Sequence, residues 1–374
     1  MKVITTGEIY DIYSDTLQTF DQLPAQAYVV RCAEQKGFYL QKFTDIEVNE
    51  KIYGVCISKV EKVLNAFNNF QRNLGVILSG DKGIGKSLFA KILSVESIKR
   101  GIPLIIVDRY YRGVASYLDS IRQEVVVLFD EFDKTFGEVR AGDDCASPQA
   151  ELLTLFDGVS TGKKLYVITC NNLNKLNDFL VNRPGRFHYH FRFNYPTPAE
   201  IEEYMKDKIP EEMYGEIVDI IDFSQKVDLN YDCLRAIAFE ISNGYKFKDA
   251  IADLNIINLD SQQTYNVTVH YSNGAALCAK NVFIDMFNED RTEYRMWVSD
   301  QTRNEIAVIR FDVTDATYSA DVGCYVIPGG EITIDYESDE EDDDFTKVVK
   351  EYKQLSVQCL TIKRRPSKNI HYAV

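Results

Sequence analysis

No apolar run in this chain approaches the roughly 20 residues that a bilayer-crossing helix needs, which predicts no membrane-spanning helix. The opening "MKVITTGEIYDIYSD" lacks a basic stretch followed by an apolar one, so no secretory signal is expected. The eight cysteines are scattered singly without a Cys-x-x-Cys pair, and there are only four histidines. That excludes a zinc-ribbon framework and predicts reduced thiols in a cytoplasmic setting. His-Glu-x-x-His is absent, so any proteolysis would need a separate partner. Positive charge is also scarce. With 42 basic against 57 acidic residues the net charge is −15, which disfavours a protein that coats nucleic acid with its outer surface.

What is present changes character along the 374 residues. Residues 1–50 hold short apolar-aromatic runs, "AYVV" and "GFYL", and read as a small β-containing N-terminal piece. Residues 51–195 alternate apolar strands ("GVIL", "LIIV", "VVVLF", "LYVIT", "YHFRF") with helix-period segments, the pattern of a five-stranded parallel sheet covered on both faces in an α/β fold. Residues 196–260 have helical spacing throughout, as in "CLRAIAFEI". Residues 261–374 alternate apolar and polar positions and predict a β-rich C-terminal domain. Inside it, eight of the ten residues 335–344 are acidic, which reads as a solvated, disordered loop or, alternatively, as an electrostatic mimic of nucleic acid or a docking tail.

The stretch Gly80 to Ser87, "GDKGIGKS", fits Gly-x4-Gly-Lys-Ser between an apolar strand and a helix. Glycines Gly80, Gly83 and Gly85 let successive backbone N–H groups turn inward around a phosphate, with Lys82, Ile84 and Leu88 alongside. Lys86 brings a point charge to the β- and γ-phosphates, and Ser87 a hydroxyl to Mg²⁺. The following helix aims its N-terminal dipole at the same anion. Downstream, "VVVLFDEFDK" ends an apolar strand in Asp130 and Glu131. At the carboxyl end of a parallel strand they would flank the phosphate crevice, Asp130 in the Mg²⁺ shell and Glu131 as the general base for an attacking water. The chemistry expected is Mg²⁺-dependent ATP hydrolysis.

Several further motifs in order resemble the classic clade of AAA+ ATPases over roughly residues 51–255. "KIYG", with Tyr53 and Gly54, stands where that family contacts adenine; "ELLTLFDGVSTGKKLYVITCNN" resembles its helix, Asp-Gly turn and sensor strand; "NRPGRF" matches its Arg-Pro-Gly-Arg-Phe box. The resemblance implies Asn172 as the sensor, by gapless counting from both flanking motifs, with Asn171 the alternative. It implies Arg186 as an arginine finger acting on a neighbour's ATP, with Arg183 structural. His188 and Tyr189 depart from the Asp and second arginine of many relatives. The helical segment corresponds to the family's lid. It lacks a Gly-Ala-Arg sensor, as the classic clade does, and Arg235 reads as a lid-surface residue.

A finger in trans implies a homo-oligomeric ring, by resemblance a hexamer. Tyr111, Arg112 and Gly113 resemble an aromatic-x-Gly pore loop that grips an extended chain. Tyrosines that merely cap a helix fit the segment as well. Two functions stand: an ATP-driven remodeller of protein substrates, or a nucleic-acid-handling ATPase of the helicase or clamp-loader type, for which Arg109 and Arg112 beside the tyrosines speak. The acidic balance and the arginine box favour the first. Neither flank identifies an adaptor or substrate, and a compact, acidic single-ring enzyme with unfamiliar flanks suits a phage or bacterial protein.

Overall fold

A computed structural model describes residues 1–44, 56–137, 148–157, 162–181, 183–256, 263–336 and 344–365. They form two compact units, Met1–Asn194 and Tyr195–Val374.

In the first unit the elements run β1 (Lys2–Thr6), β2 (Ile9–Tyr13), β3 (Ala27–Ala33), β4 (Gly37–Lys42), α1 (Cys56–Asn69), β5 (Leu74–Ser79), α2 (Lys86–Lys99), β6 (Leu104–Val107), α3 (Val114–Ser120), β7 (Val125–Phe129), α4 (Phe132–Thr135), α5 (Pro148–Phe156), β8 (Lys164–Cys170) and β9 (Tyr189–Arg192). Strands β1 and β2 make a separate hairpin. The rest form one seven-stranded sheet in the order β4-β3-β6-β7-β8-β5-β9. All neighbours pair parallel except β4, which runs antiparallel to β3.

This sheet is larger than the five strands expected. "AYVV" and "GFYL" are β3 and β4, and β3 pairs with β6 from Ala27–Leu104 to Val29–Ile106 instead of standing apart. Apolar alternation marks a strand but does not say which sheet edge it extends.

The period of two along each central strand sorts its side chains into two cores. Val76, Leu78, Val126, Leu128, Leu165 and Val167 pack with α1 and α2 on one face. Ile77, Val125, Val127, Phe129, Tyr166 and Ile168 pack with α3 and α5 on the other. Burial on both faces is what the unbroken apolar runs encode. Because β8 lies between β5 and β7, the carboxyl ends of three adjacent strands come together. Ser79 stands opposite Cys170, and Phe129 opposite Ile168.

The second unit holds α6 (Pro198–Lys208), α7 (Glu216–Ser224), α8 (Tyr231–Ser242) and α9 (Phe247–Asp253), then β10 (Gln263–Tyr271), β11 (Ala276–Ile284), β12 (Glu293–Ser299), β13 (Glu305–Asp312), β14 (Thr317–Ser319), β15 (Cys324–Pro328), β16 (Thr333–Tyr336), α10 (Asp344–Lys353) and β17 (Val357–Arg364). Thr197 and Glu200 close a capping box on α6, and Asn230 caps α8. The strands form one antiparallel sheet, β14-β15-β17-β10-β11-β12-β13-β16, over a core that includes Tyr265, Val267, Val269, Ile309 and Ile362. Helix α7 is seated on this sheet. Arg364 Nη1 donates to Ser224 O at 2.6 Å and Nη2 to Asp228 Oδ1 at 2.7 Å, while the Tyr325 hydroxyl donates to Asp222 Oδ1 at 2.7 Å. The cation thus meets carbonyl dipoles at a helix C-terminus, the end that favours positive charge. Of the acidic run 335–344, Asp335 and Tyr336 belong to β16 and Asp344 opens α10; residues 337–343 lie outside the described residues.

Candidate active site

The glycine loop leaves β5 and enters α2 through three left-handed turns, with φ of 141° at Gly80, 74° at Gly83 and 98° at Gly85. Gly80 is required twice over. Its φ disfavours a side chain, and a Cβ there would lie 2.4 Å from both Ile84 Cδ1 and Phe193 O. At Gly85 a Cβ meets nothing within 4 Å, so space stands open beside the loop's last residue. Gly85 is also the N-cap of α2; it supplies no side-chain cap, and the first turn carries no acid. A helix start of this kind leaves backbone N–H groups to an anionic ligand.

Lys86 is buried, and its Nζ donates to Gly80 O at 2.6 Å and to Asp81 O. Burial lowers its pKa, countered by the nearby Cys170, Asp81, Asp133 and Asp130. The ammonium therefore sits inside the loop and is held by carbonyls that phosphate oxygens can replace. Ile84 is buried, Leu88 half-buried, and Lys82 and Ser87 exposed.

Asp130 and Glu131 follow β7 directly and are fixed from the next strand. Thr169 Oγ1 donates to Asp130 Oδ1 at 2.7 Å and accepts the Glu131 N–H at 2.8 Å. Glu131 has φ 47° and ψ 47°, a left-handed conformation uncommon for a side chain of this kind and a mark of functional sites. Its exposed carboxylate pairs with Lys134. Asp133, two residues on, is 3% exposed and accepts the backbone N–H groups of Asn171 and Asn172 at 3.1 and 3.0 Å.

The two asparagines differ. Asn172 is exposed and its Oδ1 accepts the Asn174 N–H at 2.9 Å, capping a 3-10 turn at Leu173–Lys175. Asn171 directly follows β8, and its Nδ2 is buried without a hydrogen-bond partner among the described residues. An unpaired buried donor is costly in a closed protein.

The arginine box closes on β5 through Gly75, where a Cβ would lie 2.3 Å from Arg186 O; the His188 N–H donates to Gly75 O at 2.9 Å. Arg186 is turned back onto its own chain. Nε and Nη2 grip the Asp157 carboxylate (Nη2 to Oδ2, 2.8 Å), and Nη1 donates to Phe179 O at 2.7 Å. This bond holds the Asp157 carboxyl below its ordinary pKa and raises that of Arg186. Arg183 is exposed, with its guanidinium 5.2 Å from the Phe179 ring centre.

The aromatic-x-Gly segment is packed against β4. Tyr111 is half-buried and edge-on to Phe38 at 6.2 Å, and Phe38 stacks on Tyr117 at 5.0 Å. The Tyr110 hydroxyl and the Gly113 N–H both donate to Glu151, at 2.7 and 2.8 Å. Gly113, with φ 88°, caps α3, while Arg109 and Arg112 are exposed. Tyr53 and Gly54 lie outside the described residues.

Sequence reasoning gave no role to Thr169, Asp133 or Asp157, although Asp133 is the third acid of "DEFD" and Asp157 opens the Asp-Gly turn.

Comparison with known proteins centres on the same region. Residues 76–195 match the family described as "ATPase family associated with various cellular activities (AAA)". The chain is 28% identical over 170 residues to the human outer mitochondrial transmembrane helix translocase, covering 41% of this chain and 46% of that protein. It is 26% identical over 207 residues to the ATP-dependent zinc metalloprotease FtsH of Mycoplasmoides gallisepticum (50% of this chain, 26% of that one). It is 29% identical over 154 residues to the putative ribosome biogenesis ATPase nvl of Dictyostelium discoideum (36% and 18%). The chain thus spans less than half the length of these relatives.

Proposed function

Through residues 76–195 this chain belongs to the AAA ATPases, and we propose from that premise that it couples Mg²⁺-dependent ATP hydrolysis to the remodelling or disassembly of protein substrates. The observation that carries the hydrolytic half is the convergence of the glycine loop, the Asp130–Glu131 pair and Asn171 on the carboxyl ends of three adjacent strands. In an open parallel sheet that is where ligands bind.

The donor set suits a nucleotide with a hard cation. The loop offers backbone N–H groups and Lys86. Among the described residues no cluster of three or more His, Cys, Asp or Glu side chains stands ready to hold a metal alone. Ser87 and Asp130 would hold Mg²⁺, which keeps water and phosphate oxygens as its other ligands. When bound, the ion neutralises charge growing on the phosphate oxygens. Glu131 orients the lytic water and takes its proton, once its carboxylate leaves Lys134. Of the two asparagines we assign the sensor to Asn171, whose buried Nδ2 has no partner among the described residues. Of the two arginines we assign the trans-acting finger to Arg183, since the Arg186 guanidinium is committed to Asp157 and Phe179. A finger in trans makes the working form a ring, by resemblance a hexamer.

Protein remodelling is supported by the acidic balance of the sequence and by the relative named as a translocase. FtsH is named a metalloprotease, but these 374 residues carry no His-Glu-x-x-His. One observation favours the nucleic-acid reading: Arg109 and Arg112 face solvent while Tyr111 packs inward. ATP turnover measured with an unfolded polypeptide and with single-stranded DNA separates the two. Stimulation by the polypeptide alone is expected; stimulation by DNA alone overturns the remodelling reading.

A further inference from the structure

We propose that Asp133 is a positioning residue for hydrolysis: its buried carboxylate clamps the end of β8, so that the sensor amide and the general base are held at a fixed separation. The inference rests on the ATPase reading above and adds a residue to it.

Two cross-links tie the ends of β7 and β8. Thr169 reaches from β8 to Asp130 and the Glu131 N–H. Asp133 reaches back from the first turn of α4, each carboxylate oxygen taking one N–H: Asn171 at 3.1 Å on Oδ1 and Asn172 at 3.0 Å on Oδ2. Sequence distance makes the arrangement informative. Asp133 lies two residues after Glu131, and Asn171 carries the buried Nδ2 that has no partner among the described residues. One side chain thereby links the backbone of the base to the backbone of the sensor.

The chemistry requires a carboxylate. Two N–H donors converge on a site that is 3% exposed, and an ionised carboxylate is the acceptor-only group that can satisfy both. An amide would turn its own N–H₂ towards one of them. Desolvating a carboxylate is unfavourable, so the site is held together by these bonds and by the nearby charge of Lys86, whose proton affinity Asp133 helps to raise. Asp133 touches no reacting atom. It acts through where it holds Asn171, and a misplacement of about 1 Å in such a group costs up to roughly 100-fold in rate.

The experiment compares wild type, Asp133→Asn and Asp133→Leu in steady-state ATP turnover, nucleotide affinity by titration with a fluorescent ADP, and amide exchange of the peptide containing Asn171 and Asn172. Expected is a graded loss: kcat down roughly 10-fold in the amide variant and roughly 100-fold in the leucine variant, nucleotide affinity within about twofold, and faster exchange at Asn171 and Asn172. Unchanged kcat in an amide variant that binds nucleotide overturns the inference while leaving the ATPase reading intact. Wild-type protein that binds but never hydrolyses ATP overturns the reading and the inference with it. If neither variant folds, exchange on wild type decides: unprotected amides at Asn171 and Asn172 contradict the clamp, and protected ones support it.

Discussion

Ser79 and His190 are joined across the β5–β9 pair, Oγ to Nε2 at 2.7 Å, immediately before the glycine loop begins. Arg192 Nη2 lies 3.2 Å from the other ring nitrogen. A guanidinium can only donate, so Nδ1 accepts, the ring proton sits on Nε2, and the neutral imidazole donates to Ser79. Burial, and then the Arg192 charge, lower the His190 pKa from 6.5 to about 4.

That shift gives the protein a pH dependence with a definite sign. The unfolded chain takes up the His190 proton near pH 6.5 and the folded chain only near 4, so stability falls as pH drops through that window and is unaffected by this group above it. Urea midpoints measured from pH 7.5 to 4 should decline below about 6.5 in wild type and less steeply in His190→Gln. Parallel slopes would show that His190 is not buried as described.

The arginine pair makes opposite predictions for its two members. Arg183→Ala should retain nucleotide binding and fold stability while losing turnover by about 10³-fold, the scale of an absent finger. Mixing it with Lys86→Ala subunits should restore part of the activity. Arg186→Ala and Asp157→Ala should resemble each other, each lowering stability by about 1–2 kcal/mol once solvent access at Asp157 is allowed for. An Arg186→Ala protein of wild-type stability, paired with a fully active Arg183→Ala protein, would return the finger to Arg186.

Gly75→Ala tests how the box is seated. The added methyl would stand 2.3 Å from the Arg186 carbonyl and 2.6 Å from the Phe187 ring. Backbone on one side and a buried ring on the other leave little room to give. A loss of about 1–3 kcal/mol in urea unfolding is expected, as for overpacked cores. An unchanged midpoint means that the box does not close on β5.

In the second unit, Arg364 joins the helices to the sheet. Its side chain is 11% exposed and bonds both the Ser224 carbonyl and Asp228. Arg364→Ala should cost about 1.5–3 kcal/mol, the range for charge-assisted bonds. A fragment covering residues 195–374 should melt in one transition that this substitution shifts as a whole. Two separate transitions in the unsubstituted fragment would contradict a shared body.

How much of this was legible beforehand follows from distance along the chain. The glycine loop and the Asp130–Glu131 pair could be placed at the ends of β5 and β7 because each motif is carried by residues a few positions apart. The partners that hold them could not, because Thr169 and Asp133 act across a strand pairing 38 or 39 residues long in sequence. Gapless counting selected Asn172, while the buried amide belongs to its neighbour Asn171; which of two adjacent residues at a strand end turns inward depends on register. Arg183 and Arg186 look alike in "RPGR"; only the position of Asp157 distinguishes them. "AYVV" and "GFYL" announced strands without naming their neighbours, so β3 and β4 emerged as part of the central sheet only in the fold.

The most direct test of the active site is one comparison, ATP affinity and steady-state turnover in Glu131→Gln against wild type. The amide keeps the shape of the side chain and removes the base, so ATP should bind with wild-type affinity while turnover falls by about 10²–10⁴-fold. Turnover at the wild-type rate would mean that water is not activated at the end of β7, and the assignment of this crevice would be wrong.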